Sequence, residues 1–185
     1  MLETLKRSLE TCPIVKKGEY RYFVHPITDG VPFLTKGVLD DIIDTIVQTA
    51  NLDCDKLVTV EAMGIPLTTL LTQRTGIPSV IIRKRPYGFE GEYEVTQKTG
   101  YSKSPLYING LQKGDRIVFV DDVISTGGTL LPLMRVFKEM GIEVVDIVIV
   151  FSKVKDMSVM EEEIGKKIRA LVTVDVQEDR VVVLD

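Results

Sequence analysis

The chain has 185 residues, 44% hydrophobic and 27% charged, the proportions of an ordinary globular domain long enough to bury a sizeable core. Its formal net charge of −4 argues against a nucleic-acid binder that works by bulk electrostatics, so any anion site must be a local cluster. Cys12 and Cys54, the two cysteines, show no metal spacing and are too few for a disulfide framework, which predicts reduced thiols in a cytoplasmic protein.

Met1 to Arg7 contains no apolar signal core, and the sequence carries no internal repeat or low-complexity segment. Leu39, Ile42, Ile43, Ile46, Val47 and Ala50 recur at helical spacing, so residues 37 to 50 read as an amphipathic helix. Lys56 to Val60 reads as a short buried strand, Pro66 to Thr75 as a helix ending at Gly76, and Ser79 to Arg83 as a strand. Residues 86 to 110 hold four Gly, two Pro and four Tyr and read as a long mobile loop or a ribbon. Arg116 to Val120 is a β-branched and aromatic run that predicts another buried strand. Leu130 to Met140 has helical spacing, with Gly141 as a stop. Glu143 to Ser152 predicts a strand, Met157 to Lys167 a helix, and Ile168 to Asp175 a strand. Val181 to Leu184 reads as a terminal edge strand. The most apolar stretch, Val144 to Phe151, includes Asp146 and is far too short to span a bilayer.

Strand and helix alternate from residue 56 to residue 152, which predicts right-handed crossovers and a parallel sheet with helices on both faces. Ligands of such sheets sit beyond the carboxyl ends of the strands. Those ends carry Glu61 to Gly64, Arg83 to Arg85, Asp121 to Thr129, and Ser152 with Lys153. Topology alone therefore collects the candidate residues on one rim.

The most informative segment is Phe119-Val120-Asp121-Asp122-Val123-Ile124-Ser125-Thr126-Gly127-Gly128-Thr129. Gly127 and Gly128 let backbone amides approach a ligand, and the helix start that follows adds unpaired N–H groups and a positive dipole end. Ser125, Thr126 and Thr129 supply hydroxyl donors. A bare phosphate would be repelled by Asp121 and Asp122, whereas the vicinal hydroxyls of a sugar phosphate donate well to carboxylates. A P-loop is excluded because no Gly-Lys-Ser/Thr ending is present, and no Gly-x-Gly-x-x-Gly turn offers a dinucleotide site. An acidic pair after a strand also suits a phospho-aspartyl protein, but that reading leaves the Thr-Gly-Gly-Thr turn unexplained.

This segment resembles the phosphoribosyl-pyrophosphate (PRPP) signature of the type I phosphoribosyltransferases: an apolar run, two acidic residues, then Thr-Gly-Gly-Thr. The resemblance covers residues 56 to 155 well and the ends loosely. It implies an α/β fold, a parallel sheet flanked by helices, with a flexible loop and a small hood. It also implies a single domain, its core at about 37–155 and its hood from 1–36 and 156–185. Asp121 and Asp122 would then contact the ribose hydroxyls as the catalytic pair, and Ser125, Thr126, Gly127, Gly128 and Thr129 would bind the rest of PRPP. Mg²⁺ is implied, carried by the pyrophosphate and held largely by substrate oxygens and water, with no direct protein ligand.

Glu61-Ala62-Met63-Gly64 opens a helix whose bare amides suit a pyrophosphate; the plainer reading is a simple βα turn. It resembles the family's pyrophosphate loop, which often holds an unusual cis peptide, in its adenine and xanthine version. Met63 stands where adenine enzymes commonly have Arg. Arg83 and Lys84, with Arg85, would neutralise pyrophosphate, Arg binding it bidentately, or else form a solvated basic edge. An Arg of this region reaches the partner's site in many relatives, which implies a homodimer. Tyr101, Ser102 and Lys103 resemble the tip of the family's flexible loop, which as a lid would keep water from an oxocarbenium-like transition state. Lys153 resembles a purine-contacting lysine of oxopurine enzymes and otherwise reads as a solvated surface residue. His25, the single histidine, reads as a packing or solvent residue, with contact to the base as the alternative.

Gly18-Glu19-Tyr20-Arg21-Tyr22-Phe23 and Asp29-Gly30-Val31-Pro32 resemble the archaeal-type hypoxanthine/guanine enzymes. The implied reaction joins hypoxanthine or guanine to PRPP, giving IMP or GMP and pyrophosphate, without nucleic-acid or membrane partners. Ser125 stands where some hypoxanthine-guanine enzymes have Asp, which leaves the proton acceptor unassigned. Two alternatives stay open: the same chemistry on adenine, and a PRPP-sensing regulator without catalysis.

Overall fold

Lys56–Val60 and Glu143–Ser152 are strands with the bounds that the sequence predicts. The structure is a computed structural model that describes residues 1–18, 20–98 and 103–184. In chain order it contains α1 (Glu3–Leu9), β1 (Ile14–Lys17), β2 (Tyr20–Phe23), α2 (Pro26–Asp29), α3 (Lys36–Thr49), β3 (Lys56–Val60), α4 (Gly64–Thr75) and β4 (Ser79–Ile82). There follow β5 (Tyr93–Lys98), β6 (Lys103–Ile108), β7 (Arg116–Ile124), α5 (Leu130–Glu139), β8 (Glu143–Ser152), α6 (Ser158–Ile164), β9 (Arg169–Val176) and β10 (Val181–Val183). The central sheet has the order β10-β9-β8-β7-β3-β4. Its strands pair in parallel from β4 to β9.

β10 runs antiparallel to β9, so the sheet is mixed rather than wholly parallel. A tight turn, closed by the Gln177 N–H on the Arg180 carbonyl at 2.9 Å, joins the two. So short a connection permits only an antiparallel neighbour.

Both faces of the sheet are covered, as continuous apolar runs require. Along β7, Val118 and Val120 enter a core with α1, α3 and α4, while Ile117 and Phe119 enter a second core with α5 and the β5–β6 ribbon. β8 repeats this alternation through Val148 and Val150 against Ile147 and Ile149. Period-two side-chain geometry thus splits one run of aliphatic residues between two layers.

Residues 86 to 110 include the antiparallel ribbon β5–β6. Val95, Leu106 and Ile108 are buried in the second core, and Tyr107 exchanges backbone hydrogen bonds with Arg83 at 2.7 and 3.0 Å. Tyr101 and Ser102 lie outside the described residues, as does the side chain of Lys103.

The first 36 residues hold elements that the sequence reading left unassigned. Leu5 and Leu9, one turn apart, are buried against α3. Asp41 on α3 accepts from the Thr4 and Leu5 amides at 2.7 and 3.1 Å, satisfying first-turn donors of α1 from a distant part of the chain. The hairpin β1–β2 pairs Ile14 with Phe23, and α2 follows it towards β7.

The packing that positions the rim is tightest at Gly64, the first residue of α4. A Cβ there would lie 1.7 Å from Thr59 Oγ1 and 3.1 Å from an Asp121 carboxylate oxygen. We expect Gly64→Ala to cost about 1–3 kcal/mol by overpacking, read by urea denaturation. Thr59→Ala in the same chain should recover part of that loss; no recovery would show that the clash lies elsewhere.

Candidate active site

β3, β7 and β8 lie side by side in parallel, so their carboxyl ends open on one edge of the sheet. β7 continues beyond the expected Val120 to Ile124, because Val123 and Ile124 remain paired with Phe151 and Ser152 of β8. Asp121 and Asp122 are therefore strand residues rather than turn residues. Both are half-buried. Burial pushes the Asp121 carboxyl up to about 6, partly offset by hydrogen bonding with Asp122 and by the Lys84 charge. Asp122 is raised well above the usual range by burial, by repulsion from Asp121 and by the Asp29 carboxylate of α2.

The turn from Ser125 to Thr129 leads into α5, with Thr129 at the N-cap. In its first turn the Leu131 N–H donates to the Gly127 carbonyl at 2.9 Å and Pro132 has no N–H, so the dipole end rather than a row of free amides faces the turn. Gly127 takes a left-handed φ of +72°, and a Cβ there would come within 2.7 Å of the Met160 sulfur of α6. The left-handed φ favours glycine here, and any side chain would have to displace Met160. Asp121, Ser125, Thr126, Gly127 and Thr129 line one cavity, floored by Phe119, Ile124, Leu130 and Ile149.

The next segment of the rim is Glu61 to Gly64, between β3 and α4. The cis bond in it is Glu61–Ala62. The Glu61 carboxylate is engaged by protein groups. One oxygen accepts from the Lys84 N–H, and the other lies 2.9 Å from Arg83 Nε. Arg85 instead stacks on Tyr87, its guanidinium carbon 5.3 Å from the ring centre. The three basic residues that the sequence presents as one cluster therefore have separate surroundings.

Lys153 follows β8, its N–H on the Ile124 carbonyl at 2.9 Å. Its ammonium lies 4.9 Å above the centre of the buried Phe23 ring, a cation–π placement. His25 is fully buried beneath. Its Nδ1 accepts from the Ile27 amide at 3.1 Å, so the proton of the neutral ring belongs on Nε2, which lies 2.8 Å from the Ser8 hydroxyl. Burial lowers its pKa to about 4. His25 is thus a neutral helix cap packed edge-on to Phe23 and Phe151, in agreement with the packing alternative.

The structure brings Asp121, Asp122, the 125–129 turn, Glu61 to Gly64, Arg83, Lys84 and Lys153 to one edge of the sheet. Sequence reasoning missed three features of this edge: Asp29 near Asp122, the Glu61–Arg83 pair, and Met160 against Gly127. Only the second had a signal, a Glu and an Arg each ending one of two adjacent strands.

A family model described as the phosphoribosyl transferase domain matches residues 34–173. The chain belongs to that family. Similar phosphoribosyltransferases include those of Methanosarcina acetivorans, 50% identical over all of this chain and 97% of its own length, and Methanosarcina mazei, 52% identical over the same shares. The protein of Methanococcus vannielii is 46% identical over the whole of both chains. All three are named hypoxanthine/guanine phosphoribosyltransferase. Among solved structures, an adenine phosphoribosyltransferase of Thermoanaerobacter pseudethanolicus aligns with a TM-score of 0.75 at 20% identity, covering 94% of this chain and 99% of its own. That likeness establishes the shared α/β phosphoribosyltransferase fold. Among the described residues, no helix is long and apolar enough to cross a membrane.

The raised carboxyl pair has a consequence for stability. Each group binds its proton more tightly in the folded protein than in the unfolded chain. The stabilisation this gives is complete below the ordinary carboxyl range and is lost as pH rises, through about 6 for Asp121. Asp121→Asn with Asp122→Asn should therefore be more stable than the parent by about 1–3 kcal/mol at pH 8, with the gap shrinking at pH 5. Urea denaturation at both pH values checks this, and a gap independent of pH would refute it.

Proposed function

We propose that the chain transfers the phosphoribosyl group of PRPP to hypoxanthine or guanine, releasing pyrophosphate and IMP or GMP, in purine salvage. The observation that carries the chemistry is the half-buried Asp121–Asp122 pair running straight into the Ser125–Thr129 turn. In this reading the 5-phosphate accepts from the amides and hydroxyls of the turn, at the positive end of α5. The ribose hydroxyls donate to Asp121 and Asp122. Pyrophosphate lies along Ala62 to Gly64, drawn by Lys84 and Arg83. Purine N9 then bonds to the anomeric carbon as the carbon–oxygen bond to pyrophosphate breaks, and the purine gives up its imidazole-ring proton. Charge develops on the sugar ring, beside two carboxylates that can stabilise it.

Mg²⁺ fits this donor set. Two adjacent carboxylates, of which Asp121 raises the proton affinity of Asp122 by repulsion, gain from a dication. Asp121 and Asp122 would hold its water shell, and the ion would neutralise part of the pyrophosphate charge. A homodimer and a cytoplasmic setting belong to the same proposal, the latter in keeping with free Cys12 and Cys54.

The choice of base rests on the relatives' shared name and on Lys153. An ammonium has three donors and no acceptor, so it matches the position-6 oxygen of hypoxanthine or guanine and opposes the amino group of adenine. The adenine alternative has Glu61-Ala62 and the lack of Asp at position 125 in its favour. Assays of pyrophosphate release with PRPP and each base should show turnover of hypoxanthine and guanine and little of adenine. Lys153→Ala should lower kcat/KM for the oxopurines by about 10–100-fold. A preference for adenine, or full oxopurine activity in the variant, would reverse the assignment. The Asp121→Asn, Asp122→Asn variant should fold without turning over.

The β5–β6 ribbon beside this edge is proposed as the lid. Hydrogen exchange on residues 93–98 and 103–108 should slow when PRPP, Mg²⁺ and a purine analogue bind. Equal protection with and without them would make it a fixed part of the scaffold.

A further inference from the structure

Glu61 brings a negative charge to an edge that is to receive a polyanion. Its carboxylate is mostly buried, at 17% exposure, and the Arg83 side chain beside it is 31% exposed. At such depth a charge pair is screened less than on the open surface. The backbone does not depend on this contact. The Glu61 N–H is bonded to the Ile82 carbonyl at 3.0 Å, and Arg83 is held through both backbone groups by Tyr107.

The contact is also unusual in form. Arg83 Nε is buried and within 2.9 Å of a Glu61 oxygen, yet its N–H aligns on no acceptor among the described residues. It is therefore a charge contact rather than the two-pronged hydrogen-bonded pair that locks a guanidinium in place. Arg83 thus already faces a carboxylate. An anion that engages Arg83 must share it with Glu61 and bear the repulsion of the Glu61 charge.

Resting on the phosphoribosyl-transfer reading, we propose that Glu61 is a positioning residue that acts through Arg83 to temper the hold on pyrophosphate. Pyrophosphate is bound as part of PRPP and must afterwards leave. Grip common to substrate and product does not speed the chemical step, and it slows release. A carboxylate set against Arg83 lowers that grip while the cation stays in place.

The test compares the parent with Glu61→Gln, whose amide oxygen can still accept from the Lys84 N–H while the charge is gone. Calorimetric titration with magnesium pyrophosphate should give a Kd about three- to tenfold lower in the variant. Steady-state assays should show a lower KM for PRPP, a lower kcat and stronger product inhibition. In an Arg83→Ala background the same substitution should change Kd by less than about twofold. Unchanged or weaker binding in Glu61→Gln would overturn the proposal, as would equal tightening with and without Arg83. Should Glu61→Gln not fold, Glu61→Asp, which draws the charge one methylene back from Arg83, should shift Kd in the same direction by a smaller factor. A shift in the opposite direction would overturn the proposal. A parent that releases no pyrophosphate from PRPP with any purine would instead sink the transfer reading itself.

Discussion

Everything at this edge depends on the burial of two adjacent carboxylates on the strand at the middle of a parallel sheet. β7 stays paired with β8 at Asp121, Val123 and Ile124, so Asp121 and Asp122 are only partly open to water. Their raised proton affinity measures that constraint. The fold holds the pair with aliphatic layers on both faces and a glycine at the start of α4. The strain is therefore offset by the scaffold and relieved when partners of opposite character arrive, whether protons, sugar hydroxyls or a hydrated dication. Such a site gives up stability for readiness.

Around the pair, charge is arranged in opposed sets. Arg83 faces Glu61 and Lys153 rests on the face of Phe23, while the exposed Lys84 lowers the proton affinity of Asp121. An incoming polyanion at Arg83 therefore rearranges an existing contact. This fits a protein of net charge −4 that must still bind a highly charged sugar phosphate: attraction is local and conditional.

The legible parts of the sequence were those whose signal is contiguous. β3 and β8 are mainly apolar runs, interrupted inside only by Thr59 and Asp146, and their bounds came out as expected. β7 came out short because Asp121 and Asp122 interrupt the apolar pattern, although Val123 and Ile124 resume the pairing. α4 begins at Gly64 rather than Pro66; a proline in the first turn lacks only an N–H that has no helical partner there. α6 was expected to reach Lys167 and stops at Gly165. The N-terminal region was illegible for a different reason. Its helices and strands are four to seven residues long, and α1 takes its capping carboxylate from Asp41. No local window contains such information. The same limit applied to the site: the residue types were visible on the strand ends, but Asp29, Met160 and the partner of Glu61 were tertiary facts.

The two margins of the central sheet differ in a way that bears on how copies of the chain could meet. Beside the end of β4, Arg83 is bridged to Tyr107 of the ribbon, so this end of the margin is already occupied. At the opposite margin stands β10, only three residues long, ending a hairpin. A short outermost strand is a poor template for a neighbour's backbone. Joining of sheets is disfavoured at these two places, where a neighbour's backbone finds little to pair with.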